Sequence, residues 1–241
     1  MSSNAKRHDL HLLSGGAAQG LVAQLKATFE AAQGCDLHAT FAAVGFIRDS
    51  LLGGQPCDVL IVTDALIDQL TASGHLAAGT AAAVGAVKTG VAVKSGDTTR
   101  STLDVSTPDA LRHALEHAKG IYFPDPVKAT AGIHFMSVLK SLGLDAKLAD
   151  KLRPYPNGAA AMGAMAACDE PGLIGCTQIT EILYIDGVEL VAPLPVAFEL
   201  ATTYTAAVST KAGEPLIAKA LIEAMTSRSN SGLRKACGFE P

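Results

Sequence analysis

Asp9-Leu10-His11-Leu12-Leu13-Ser14-Gly15-Gly16-Ala17 opens the chain's first structural unit, and its reading decides the fold. Asp9 to Leu13 has the length and apolar content of a short strand. Ser14-Gly15-Gly16 is a turn, and a helical pattern runs from about Ala17 to Ala32 with Leu21, Leu25, Ala27 and Phe29 on its buried side. A strand that passes through a small-residue turn straight into a helix is the first half of a βαβ unit. Further units follow. Strands Leu37 to Ala42 and Asp58 to Val62 flank a short helix around Phe46 to Leu52, and Thr63 stands where it would cap a helix through Ile67 and Leu70. Val84 to Lys94 is strand-like without interruption, long enough to pass between two lobes. Ser106-Thr107-Pro108-Asp109 starts a helix, with a cap and then proline at the first helical position. Strand Gly120 to Phe123 ends at Pro124-Asp125-Pro126, before a helix with Ile133, Met136 and Leu139 on one side. Strand Leu173 to Cys176 leads into Gln178-Ile179-Thr180-Glu181, and the last quarter holds strand Thr203 to Ser209 and a helix from about Pro215 to Met225. Alternating strands and helices predict an α/β fold with largely parallel sheets.

The bulk properties narrow the function. With 241 residues, 49% apolar and 17% charged, the chain can bury a sizeable core. A formal net charge of -4 and the lack of any Lys/Arg block argue against nucleic acid as a partner. The apolar stretch Leu76 to Val93 is broken by Gly79, Gly85, Lys88 and Gly90, so it reads as a buried strand with its flanks and no membrane insertion is expected. Five cysteines, an odd count with no zinc-ligand spacing, read as free thiols that suit a reducing compartment. The chain starts Met1-Ser2-Ser3-Asn4-Ala5-Lys6-Arg7-His8-Asp9 and enters its first strand at once. That start leaves no room for a secretory signal, so a cytoplasmic location is expected, or a periplasmic one if a signal was removed. His113-Ala114-Leu115-Glu116-His117 matches the H-x-x-E-H metalloprotease pattern. Its helix is short and no clear third ligand follows, so we expect a solvated face and no metal. No P-loop, dinucleotide fingerprint or nucleophile elbow is present, and no cofactor is expected.

Taken in order, several short segments resemble the type II periplasmic binding proteins, specifically the molybdate-binding-protein-like group, which includes aconitate-isomerase-like members. They are Leu13-Ser14-Gly15-Gly16, Gly54-Gln55-Pro56-Cys57-Asp58-Val59, Gly90-Val91-Ala92-Val93-Lys94-Ser95-Gly96, Phe123-Pro124-Asp125-Pro126, Gly187-Val188-Glu189-Leu190, Pro193-Leu194-Pro195 and Gly238-Phe239. The resemblance spans Leu10 to Phe239. It implies two α/β lobes, residues 1–83 plus 196–241 and residues 88–190, with hinge crossovers near 84–87 and 191–195 and a ligand cleft between the lobes. Helix N-termini facing the cleft would hold an anion with backbone N–H groups and helix dipoles.

The resemblance places Ser14, Gly15 and Gly16 in the cleft, and from the opposite lobe Ala129, Thr130, Ala131, Gly132, Asn157, Gln178 and Thr180. The molybdate binders carry a serine where this chain has Val44. Losing that donor and adding Phe46 predicts poor molybdate binding and a better fit to a small organic acid, whose carboxylate Arg48 would clamp. His134 is the leading candidate for a catalytic base, with Lys128 and Glu181 behind it. Two functions follow. One is an aconitate-isomerase-like enzyme that moves a proton and a double bond in an unsaturated acid. The other is the substrate-binding component of an ABC transporter for a small anion, with a permease as partner and no catalysis.

Overall fold

The computed structural model describes residues 7–240; residues 1–6 and Pro241, which open and close the expected first lobe, lie outside it. The first half runs β1 (His8–Gly15), a 3-10 turn (Gly16–Ala18), α1 (Gln19–Gln33), β2 (Cys35–Ala42), α2 (Val44–Leu52), β3 (Val59–Thr63), α3 (Asp64–Ala72) and the long β4 (Ala82–Lys94). The second half adds α4 (Pro108–His117), β5 (Gly120–Pro124), α5 (Thr130–Ser141), β6 (Leu152–Tyr155), α6 (Gly158–Ala167), β7 (Leu173–Gln178), α7 (Ile179–Tyr184) and β8 (Val188–Pro193). The chain then returns through β9 (Ala201–Val208), α8 (Pro215–Thr226) and α9 (Ser231–Ala236).

The strand order is β2-β1-β3-β9-β4-β7-β5-β6, with β8 also paired to β4. The pairs β1–β2, β1–β3, β5–β6 and β5–β7 are parallel, as the βα alternation predicts. Every pairing of β4 and β9 is antiparallel. The first half of β4 pairs with β9 and its second half with β7 and β8, so one continuous strand serves both sheets. The chain crosses back between β8 and β9, where Leu194 N–H donates to the Thr89 carbonyl at 3.0 Å. The architecture is a two-lobed α/β fold with two connections between the lobes.

Each sheet is covered on both faces, which explains the near-continuous apolar runs in its strands. In the first lobe Leu10, Leu12, Leu21, Phe29, Ile61, Leu221 and Met225 share one core, and Leu13, Ile47, Leu60 and Ile67 fill the other face. In the second, Phe123, Phe135, Leu139 and Ile174 oppose Met162, Met165 and Ile182. Local signals hold unevenly. Thr107 caps α4, its hydroxyl accepting from the Ala110 N–H at 3.1 Å, whereas Thr63 sits at the N-cap of α3 without a side-chain cap bond. Among the described residues no helix is long and apolar enough to cross a membrane. Glu116 of the H-x-x-E-H segment pairs with Lys147 at 2.8 Å, and the His117 ring bonds the His113 carbonyl at 2.8 Å. All five cysteines are free.

Candidate functional site

The C-terminal ends of β1, β5, β6 and β7 deliver their chains into helix N-termini that converge between the lobes, the position where open α/β sheets bind ligands. The cavity there is lined from the first lobe by Gly16, Ala17, Ala42, Ala43, Val44 and Tyr204, and from the second by Pro124, Ala129, Thr130, Ala131, Asn157, Gly158, Gln178 and Glu181. Its volume is about 20 Å³, room for about one water molecule. The lobes touch across it: Gly45 N–H donates to the Lys128 carbonyl at 3.0 Å, and Lys128 Nζ lies 3.3 Å from Asp49 Oδ2. Thr130 on α5 hydrogen-bonds the Tyr204 phenol of β9. The cavity as it stands has no room for a solute of several heavy atoms.

Glu181 is the one ionisable carboxyl among the described residues that line the cavity, and no lysine, arginine or histidine lines it. The residue is 6% exposed. Oε2 accepts from the Thr177 hydroxyl at 2.6 Å, and the N–H groups of Gly158, Ala159 and Gln178 also bond this carboxyl. Burial nevertheless pushes its pKa above the ordinary carboxylate range, against those hydrogen bonds, which lower it. Oε1 reaches toward the first lobe: a Cβ on Gly16 would meet it at 2.2 Å, and a Cβ on Gly158 would meet Oε2 at 1.9 Å. Only glycine at these two positions leaves the carboxyl its place. Tyr204 is 3% exposed, and its phenol pKa is raised by burial and by the nearby Glu181 charge.

Gln178, the last residue of β7, is 2% exposed and lines the cavity, yet neither its Nε2 nor its Oε1 has a hydrogen-bond partner. A buried amide left unpaired costs about 1–3 kcal/mol. Such a cost is explained when a ligand supplies the partners. Gln178→Leu is therefore expected to raise the melting temperature of the protein measured without ligand and to weaken binding of a cleft ligand by about tenfold or more. Paired thermal melts and titrations check this; unchanged affinity contradicts it.

Of the expected site residues, Gly16, Ala129, Thr130, Ala131, Asn157, Gln178 and Glu181 are brought together at the cavity. Others stand elsewhere. Ser14 is buried and donates to the Gly15 carbonyl at 2.8 Å, while Gly15 packs under the Tyr204 ring. Gly132 sits against the Pro124 and Asp125 carbonyls, outside the lining. The Thr180 hydroxyl is buried without a partner, and the residue borders a separate groove with Gly20 and Tyr184. Arg48 does not reach the cleft: its guanidinium pairs with the neighbouring Asp49 at 2.8 Å on the exposed face of α2. Lys128 holds its ammonium at the outer rim, half exposed, against Asp49. His134, the leading candidate for the base, is corrected as well. Its Nε2 bonds the Phe198 carbonyl at 2.8 Å, tying α5 to the returning connection instead of facing the cavity. His134→Ala and Arg48→Ala should each leave the affinity for a cleft ligand within about threefold, with His134→Ala losing about 1 kcal/mol of stability. A hundredfold fall in affinity from either change contradicts this geometry.

Tyr204, Ala17, Ala42, Ala43 and Pro124 were not anticipated. For Tyr204 a signal exists, a tyrosine within the otherwise Ala-, Thr- and Val-built strand Ala201–Val208. Its distance along the chain from the other cleft residues hides it.

A two-lobed fold with helix N-termini around an interlobe cleft defines a solute-binding architecture. The chain belongs to the bacterial extracellular solute-binding protein family, whose pattern it matches over residues 10–240. It is 27% identical over 238 residues to an aconitate isomerase from Pseudomonas sp, covering 96% of this chain and 87% of that protein. In fold it is similar to the periplasmic molybdate-binding protein of Azotobacter vinelandii, with TM-score 0.77 and 17% identity over 96% of this chain and 99% of that one. The sulfate-binding protein of Mycobacterium tuberculosis H37Rv gives TM-score 0.73 and 14% identity over 98% and 87%.

Proposed function

We propose that this protein binds a small unsaturated organic acid between its lobes and isomerises it by proton transfer, in the manner of an aconitate isomerase. One observation carries the reading: a buried carboxyl of raised pKa, Glu181, stands in the cleft with Oε2 held by the Thr177 hydroxyl and Oε1 turned toward Gly16 of the first lobe. A general base works best with a pKa near the operating pH, and burial moves a glutamate in that direction. The likeness to aconitate isomerase supports the same chemistry.

In this reading the substrate carboxylate docks on the first-turn N–H groups of α5 and of the Gly16–Ala18 turn, which have no partners inside their helices. Glu181 Oε1 removes a proton from the saturated carbon next to the double bond. The C–H bond breaks, an O–H bond forms, and the electron pair spreads into the carboxylate held by the amides. The same carboxyl returns the proton to another carbon, so the double bond moves and Glu181 is regenerated. Lobe closure keeps water from the intermediate. Tyr204 and Thr130, hydrogen-bonded across the cleft, complete the polar wall. Lobes of residues 1–83 plus 196–241 and 88–190, hinging near 84–87 and 191–195, belong to the same proposal. So does a cytoplasmic location, which five free thiols suit.

Incubating the protein with unsaturated di- and tricarboxylates and separating double-bond isomers by chromatography tests the reading. Accumulation of an isomer supports it. Saturable binding without conversion favours the second reading, an ABC transporter's substrate-binding component for a small anion, which family membership supports.

A further inference from the structure

Helix α6 is unlike its neighbours in the cleft because its N-terminal donors are consumed from within. Gly158 and Ala159 donate to Glu181, Ala160 to Asn157 Oδ1 at 2.8 Å, and Ala161 to the Asn157 carbonyl at 3.0 Å. The Thr177 hydroxyl and Gln178 N–H complete the shell around the carboxyl. The N-terminus of α5 has no such arrangement; its N-cap is Ala129, and no side chain caps it. Beside both lies the buried, unpartnered amide of Gln178.

We propose that Glu181 acts as a built-in anion, filling the oxyanion cradle at the N-terminus of α6 and thereby setting the ligand class of the cleft. Compact oxyanions such as sulfate and molybdate are rejected, and an organic acid is accepted with its carboxylate on the α5 and Gly16–Ala18 amides beside Gln178. A desolvated tetrahedral anion needs donors around all its oxygens, and here one set is already taken. A second anion against the Glu181 carboxylate also meets like-charge repulsion. The inference rests on the cleft being the ligand site and not on proton transfer. It assigns the rejection of molybdate to Glu181, whereas the loss of a hydroxyl at Val44 alone would place it on the opposite wall.

Calorimetric titration of the full-length protein with sodium sulfate and sodium molybdate separates the two causes. Wild type, Val44→Ser and the isosteric Glu181→Gln are expected to show no saturable binding. Glu181→Ala should gain at least about 100-fold in affinity for one of the two ions, since both the space and the donors are released. Glu181→Ser, which also vacates the cradle, provides a second reading if the alanine variant folds poorly. Tight binding by the wild type overturns the proposal whatever the variants do, as does a gain in Val44→Ser but in neither shortened variant. Isomerase activity plays no part in this readout, so failure of the catalytic reading and failure of this one are distinguishable.

Discussion

Glu181→Gln is expected to lower isomerisation by about 10²–10⁴-fold while leaving ligand affinity within about tenfold, because proton transfer contributes to the transition state and little to the ground state. The glutamine keeps the volume and can still accept from the Gly158 and Ala159 amides, so the cleft retains its shape. The same variant has a signature in stability. Burial, the largest cause, holds the Glu181 carboxyl above the ordinary carboxylate range in the folded protein. A carboxyl with a raised folded pKa contributes stability that is fully present below the ordinary carboxylate range and is lost as pH rises through the folded value. Glutamine carries no such dependence. The melting temperature of Glu181→Gln relative to wild type should therefore climb as pH rises above the ordinary carboxylate range, and kcat/KM of the wild type should rise as the carboxyl ionises. A stability difference that is flat with pH would show that Glu181 is not the desolvated group described.

Gly132→Ala should be among the most destabilising single substitutions in the second lobe. A Cβ there would lie 2.2 Å from the Pro124 carbonyl oxygen and 2.3 Å from that of Asp125. Both are backbone atoms where β5 turns toward α5, so no rotamer change relieves the overlap, and α5 has to move away from the sheet. Overpacking of this kind costs about 1–3 kcal/mol and more where backbone must shift. About 3 kcal/mol corresponds to a fall of roughly 6–12 °C in a chain of this size. The displacement also pulls Thr130 from Tyr204, so ligand binding should be lost along with stability. Melts and titrations of the variant check both; a fall under about 2 °C, the least that 1 kcal/mol would produce, contradicts the packing.

How far the sequence foretold this site can be followed residue by residue. The Ser14-Gly15-Gly16 turn was legible because it is local, but the choice among its members was not. β1 continues to Gly15, so Ser14 turns inward and Gly16 alone lines the cavity. The resemblance implies Thr130 at the cleft, and His134 is the titratable group one turn further along the same helix. One turn is about 5.4 Å along the axis, and a cleft that meets helices end-on admits only their first turn. Arg48 fails for the same reason, one turn beyond Val44. Glu181 was visible as an acidic residue in a strand-to-helix turn, while its burial and its amide shell depend on α6, which approaches from a distant segment. Tyr204 reaches the cleft only because β9 inserts between β3 and β4, opposite Thr63 and Gly85, a register that no local pattern encodes.

Solvent exchange at carbon tests the central claim most directly. Incubated in D₂O with an unsaturated tricarboxylic acid and followed by proton NMR, the wild type should exchange deuterium into the carbon positions between which the double bond moves. Glu181→Gln should bind the same acid and exchange about 10²–10⁴-fold more slowly. Undiminished exchange in Glu181→Gln, or bound acid with neither exchange nor double-bond migration in the wild type, would contradict the proposed assignment of Glu181 as the base.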